Sequence, residues 1–175
     1  MAKALIKGWE VLTTVEKYDN REALEKGICD VQTIEGNVLL IEGVNAIWKR
    51  LAGAGDAPGP FDHNNSYIGV GNNPTGNPGD AGYDDAHQAE RTETGLGHPT
   101  DYHYSGMMTD FPIIEDEKMT FKAEFTEEDA NFTWHEWTVA NGGSNDATNL
   151  NLKYEPMGTK FLGAIWRITV EIRLT

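Results

Sequence analysis

Five histidines, His63, His87, His98, His103 and His135, are the first residues to test for chemistry, because imidazoles at the right spacing bind zinc or move protons. HPTDYH brings His98 and His103 within five positions, but no HxH, HExxH or CxxC pattern occurs. Metal-assisted hydrolysis is not what this spacing predicts, and His135, between Trp134 and Glu136 on a strand, reads as a packed or surface side chain. The acids and amides Asp56, Asp62, Asn64, Asn65, Asn72, Asn73, Asp80, Asp84 and Asp85 supply oxygens of the kind calcium takes, but not in the order of a calcium loop. Turn chemistry, in which Asn and Asp bond their own backbone, accounts for them, so no metal and no cofactor is expected.

GVGNNPTG, residues 69–76, invites comparison with a phosphate-gripping loop. The Lys-Ser/Thr that closes such a loop is missing, and Pro74 and Pro78 remove two backbone donors. A turn at the end of a strand is the expectation. No GxSxG is present, and the lone Cys29, flanked by Ile28 and Asp30 and close to Val31, reads as a packed thiol. Carboxylates are too numerous for spacing to exclude a pair placed for glycoside cleavage. Trp134 and Trp137 fall on opposite sides of a strand, one expected in the core and one at an interface rather than together as a sugar platform.

Charge narrows the partners. Fourteen basic against 28 acidic residues give a net charge of −14, which repels phosphate backbones and argues against nucleic acid. The start, MAKALIKGWEVLTTVEKYD, has no uninterrupted apolar run, and no stretch reaches the length of a membrane span. Synthesis in a cytoplasm without export or membrane insertion is the expectation.

The elements that must position these residues are mostly strands. ALIKGWEVLTTVEKY, residues 4–18, alternates and reads as a long strand bulged at Gly8; ICDVQTI, residues 28–34, has the same period and can pair with it as a hairpin. Residues 37–51 differ: apolar side chains at 40, 41, 44, 47, 48 and 51 follow the spacing of one helix face. Asn37 is the candidate N-cap, with Lys49, Arg50 and Gly53 as the stop. Residues 53–100 hold 10 Gly and 5 Pro, which rules out any long element there, and only YIGVG (67–71) reads as a buried strand. Alternation returns in KMTFKAEFT, FTWHEWTVAN, NLNLKYEP and GAIWRITVEIRLT. The sum predicts one mainly-β domain over residues 1–175, an antiparallel β-sandwich of about seven strands with one packed α-helix and a long Gly/Pro-rich excursion over 53–117.

Four stretches together carry a resemblance: GNVLLIEGVNAIWKRLAGAG, FDHNNSYIGVGNN, MTFKAEFTEEDANFTWHEWTVAN and LNLKYEPMGTKFLGAIWRITVEIRL. The set, about half the chain, resembles a family of small virion proteins of tailed bacteriophages. Within that pattern Thr138 stands where glycine is usual, and Lys153 and Tyr154 where Arg-Lys is usual. The resemblance implies a structural protein of the virion without catalytic activity, assembled in the host cytoplasm. The leading expectation is a capsid decoration or cement protein that binds major capsid subunits and forms a dimer or trimer. A tail, collar or fibre-associated protein, including a glycan binder, is the alternative; a small glycan-acting hydrolase is an alternative of another class. Contact with partners is expected from the excursion, through Phe61, Tyr67, Tyr83, Tyr102, Tyr104, Met107, Met108 and Phe111.

Overall fold

The structure, a computed structural model, describes residues 8–73 and 89–174. Its elements run β1 (Glu10–Tyr18), α1 (Arg21–Lys26), β2 (Asp30–Glu35), β3 (Val38–Leu39), α2 (Ile41–Leu51), β4 (Ser66–Gly71), β5 (Tyr102–Gly106), β6 (Ile113–Glu115), β7 (Lys118–Phe125), β8 (Thr133–Asn141), β9 (Thr148–Asn149), β10 (Asn151–Thr159) and β11 (Ile165–Arg173). Two antiparallel sheets pack face to face. One has the order β2-β1-β11-β7-β6; the other runs β3-β10-β8-β4-β5, with β9 on β8. The mainly-β, sandwich-like class read from the alternation is the class observed.

Period-two patterning decides which side chains enter the core. From the first sheet come Val11 and Val15 of β1, Phe121, Ala123 and Phe125 of β7, and Ile168, Val170 and Ile172 of β11; the second sheet supplies Ile68, Val70 and Val139. Trp134 stacks edge-on against both Phe125 and Trp166, at 4.8 and 4.7 Å between ring centres, and so joins the two sheets through aromatic contacts. Both Trp134 and Trp137 are fully buried in this one core, which corrects the expectation that one of them would sit at an interface. The physical reason lies opposite them: β10 carries a register shift between Tyr154 and Gly158, facing Glu136 and Trp134, and such a bulge adds twist that strict alternation ignores.

The expected hairpin of the first two strands forms, with Leu12 to Lys17 paired against Glu35 to Asp30. Residues 4–7 of the predicted first strand lie outside the described residues. Between β1 and β2, where a turn was expected, there is a short helix. The side chain of Asn20 accepts from the amide of Ala23, and Gly27 ends the helix at φ 67°. The described part of the 53–117 segment also departs from expectation. Besides β4 it contains β5, paired with β4, and β6, paired with β7, so it completes one edge of each sheet.

Helix α2 starts three residues later than expected, with Leu40 and not Asn37 at the N-cap position. Val38 and Leu39 pair with Leu152 and Asn151 as a strand, and Asn37 accepts a hydrogen bond from the indole of Trp9 (2.7 Å) instead of capping the helix. The first helical amide, that of Ile41, donates to the carbonyl of Arg91 (2.9 Å), so a neighbouring segment of the same chain replaces a side-chain cap. The predicted stop is observed, with Lys49 and Arg50 in the last turn and Gly53 at φ 65°.

The helix packs through its smallest residues. Gly43 and Ala46 are buried, and a Cβ added at Gly43 would sit 2.4 Å from the carbonyl oxygen of Leu150. Helix propensity alone predicts that Gly43→Ala stabilises the chain by about 1 kcal/mol. The contact predicts the reverse, a loss of about 1–3 kcal/mol as helix and strand are pushed apart, to be read by chemical denaturation.

Candidate functional site

Two features of the fold go beyond scaffolding: a shielded carboxylate on the outer face of the second sheet, and an apolar helix face left open to solvent. The carboxylate belongs to Glu136, at the middle of β8. Odd-numbered β4 residues share its face, and Gly71 leaves room for it: a Cβ there would lie 2.3 Å from Glu136 Oε1. The return of the excursion closes over it. Amides of Gly97 and His98 donate to its two oxygens at 2.8 and 3.1 Å, and Asn73 Nδ2 donates at 3.4 Å.

That covering segment is tied down on all sides. Ala89 and Leu96 pack with Leu40, Leu152 and Tyr154 in a second apolar cluster, flanked by Tyr102 and Tyr104. Arg91 Nε donates to the carbonyl of Leu39, and Tyr154 donates its hydroxyl to Glu93 (2.6 Å). His98 Nδ1 accepts from the amides of Thr100 and Asp101 (3.2 and 2.7 Å), which folds the turn that leads into β5.

Burial dominates the electrostatics here. Removal from water pushes Glu136 up to about 7, against the opposing pull of the Gly97 and His98 amides, the Asn73 amide group assisting them, while the charge of Glu93 adds to the rise. Tyr104 and Tyr154 are likewise raised, first by burial; at Tyr154 the hydrogen bond to Glu93 adds to it. Glu42, at the start of α2, is raised by burial although the Asn149 amide donates to it (3.0 Å). Chemically this is a carboxylate that can hold a proton near neutrality beneath a segment of its own chain.

The residues expected to touch partners do not form one patch. Phe61 and Phe111 are half-buried against the main core, and Met107 is buried within it and bridges to Ala123. Met108 is half-buried, its amide bonded to the carbonyl of Lys122 (2.8 Å). Tyr102 and Tyr104 stack edge-on at 6.2 Å over the second cluster. Tyr104 lies across Gly69 and donates to Asn145 Oδ1 (2.8 Å). Tyr67 rests half-buried against Gly143, and Tyr83 lies outside the described residues.

The other candidates also find structural roles. Asp62 Oδ1 accepts from the amides of Asn64 and Asn65 (3.0 Å each) and from Asn65 Nδ2 (2.8 Å), the turn chemistry expected of it. Asp56 pairs with Lys49 (2.6 Å). His63 Nδ1 lies 2.9 Å from the carbonyl of Phe111, and His103 lies 3.7 Å from Asp129. His87, Asp80, Asp84 and Asp85 lie outside the described residues. Among the described residues no group of three or more His, Cys, Asp or Glu side chains is placed to hold a metal ion, and no helix is long and apolar enough to cross a membrane.

The open face belongs to α2. Of the apolar stripe that the spacing identified and that was expected to pack, Leu40 is buried and Val44 half-buried, but the rest faces solvent: Ile41 is 44% exposed, Ile47 40%, Trp48 60% and Leu51 75%. Gly43 and Ala46, on a different face, take the contact with the sheet, so the amphipathic side of the helix is turned away from its own core. Next to it opens a groove of about 420 Å³, lined by Trp9, Ile47, Phe61, Ile114, Leu150 and Leu174 among others. A depression of about 530 Å³ around Trp9, Glu35 and Lys118 carries cations that are already paired, Lys118 with Glu171 (2.7 Å) and Arg173 with Glu117 (3.2 Å).

Fold and surfaces together define a class: a two-sheet antiparallel β-sandwich that carries a lateral helix with an apolar face left exposed among the described residues. No protein-family model matches the chain, and no curated protein or solved structure matches it either.

Proposed function

We propose that the chain is a structural protein of a tailed-bacteriophage particle, a decoration subunit that stabilises the shell by binding major capsid subunits, and that it works by contact and not by catalysis. The observation that carries this reading is the exposed apolar face of α2 together with Ile114 (73% exposed) and Leu174 (61%) on a chain whose net charge is −14. A strongly acidic surface keeps a chain soluble, and a contiguous apolar patch on it marks a place for another protein. The resemblance of the four sequence stretches to tailed-phage virion proteins supplies the setting. Glycan cleavage by paired acids calls for a cleft that both can face; Glu136 is instead closed over by Gly97 and His98, which favours contact over cleavage.

Quantitative mass spectrometry of purified particles tests the proposal. A decoration subunit is expected at a copy number comparable to that of the shell subunit. A few copies per particle would assign the chain to the tail or collar, and its absence from particles would overturn the proposal.

A further inference from the structure

We infer that the exposed stripe of α2 is the twofold interface of a homodimer, in which two α2 helices pack antiparallel about Ala46. This deepens the proposed function by naming one partner, a second copy of the chain. It is tested separately, because self-association can be measured without any particle.

The first support is the symmetry of the stripe. Ile41, Val44, Trp48 and Leu51 are spaced three, four and three residues apart, so they lie on one helix face, and that spacing reads the same in both directions. A twofold axis crossing the helix pair at Ala46 sets Ile41 against Leu51 of the second copy and Val44 against Trp48. A closed dimer requires such a self-complementary surface, since each residue meets its counterpart twice. Antiparallel packing also sets the positive end of each helix dipole beside the negative end of the other.

Area and charge agree with it. Taking about 200 Å² for a whole large apolar side chain, the exposed fractions of Ile41, Ile47, Trp48, Leu51, Ile114 and Leu174 amount to roughly 700 Å². An interface of standard size takes ~800 Å² from each partner. Two copies at a net charge of −14 repel, so they must meet where the acid excess is lowest. Ile41–Leu51 holds one acid, Glu42, against two bases, Arg50 and Lys49, the latter paired with Asp56, and its stripe is uncharged, whereas Glu115, Asp116 and Glu117 follow Ile114; the helix is therefore the part of the patch where the acid excess is lowest. Glu42 moreover is turned to the sheet, where it accepts from the amide of Asn149.

Sedimentation of the full-length chain tests the inference. The expected species has twice the 19.4 kDa chain mass. Trp48→Glu is expected to weaken association by about a hundredfold or more, as loss of a central tryptophan does. Its fold should be unchanged by circular dichroism, since the side chain is exposed, while its unfolding temperature falls and loses its dependence on concentration as association is lost. In a Cys29→Ser background, Ile41→Cys combined with Leu51→Cys should cross-link two copies under mild oxidation, because the axis sets position 41 of one copy against position 51 of the other. Ser144→Cys, exposed on a loop between β8 and β9, should not. A monomeric wild-type chain would overturn the inference, whether the stripe is then bare or covered by its own chain. So would a dimer that survives Trp48→Glu without cross-linking between positions 41 and 51. A dimer that behaves as expected but is missing from particles would support this inference and remove only the virion setting.

Discussion

Lys160→Met is expected to cost about 3–5 kcal/mol of folding free energy, a large part of the 5–15 kcal/mol typical of a domain. Lys160 follows β10 directly and is 1% exposed, an unusual position for an ammonium group. Its Nζ donates to the carbonyls of Thr126 (2.7 Å) and Asp129 (2.9 Å) and to Asn131 Oδ1 (2.9 Å), three oxygens of the turn between β7 and β8. That turn also closes on itself, Asp129 Oδ2 accepting from the amide and hydroxyl of Thr126 (3.0 and 2.6 Å). Methionine keeps the volume and removes every donor, which leaves three acceptors dry, each at a penalty of about 1–3 kcal/mol before relaxation. Urea unfolding measures the difference. A loss below about 1 kcal/mol would mean that water takes over these oxygens and that the lysine is not the centre of the turn.

Glu136→Gln is expected to remove a pH dependence as well as a contact. Burial holds the Glu136 carboxyl at about 7 in the folded chain, against an ordinary value of 4.5. Below pH 4.5 both folded and unfolded chains carry the proton. Between 4.5 and 7 the unfolded chain has ionised while the folded chain still holds it, so stability falls as pH rises; above 7 the loss is complete, about 3 kcal/mol. Glutamine is close in shape to the protonated acid and cannot ionise. Its NH2 cannot accept from the donors that both Glu136 oxygens meet, a loss equal at every pH, so the stability of the variant relative to the wild type should rise by about 3 kcal/mol from pH 4.5 to pH 8.5. Denaturation curves at the two pH values decide the matter, and a difference between the chains that does not change with pH would contradict it.

The sheets were legible because their strands bury one face and wet the other. Phe121, Ala123 and Phe125 on β7, or Ile168, Val170 and Ile172 on β11, alternate with residues that remain at least partly solvated. Alternation failed where local geometry intervenes. The bulge in β10 brings Trp134 and Trp137 into one core. The six residues of α1 carried visible caps in Asn20 and Gly27, but so short a helix gives no periodicity to read. The tyrosines of β5 alternate too, and the density of glycine and proline around them hid the signal.

The candidate surfaces were legible only in part. The stripe at 40, 41, 44, 47, 48 and 51 announces an amphipathic helix, but sequence does not say which face will be used. That was settled by Gly43, whose missing side chain lets the backbone of Leu150 approach and so turns the stripe outward. Glu136 stood out in one respect, a carboxylate in the middle of the apolar run WHEWTVA. Its cover comes from Gly97 and His98, almost forty residues upstream, and no local pattern connects them.

Hydrogen exchange of the chain diluted to the monomer and of the chain bound in intact particles tests most directly the claim that this protein acts through the apolar face of α2. The account predicts that amides of residues 41–51 gain protection in the bound state, while those of β8, already inside the sandwich, do not change. Unchanged exchange in α2, with new protection confined to the segment over Glu136, would contradict it.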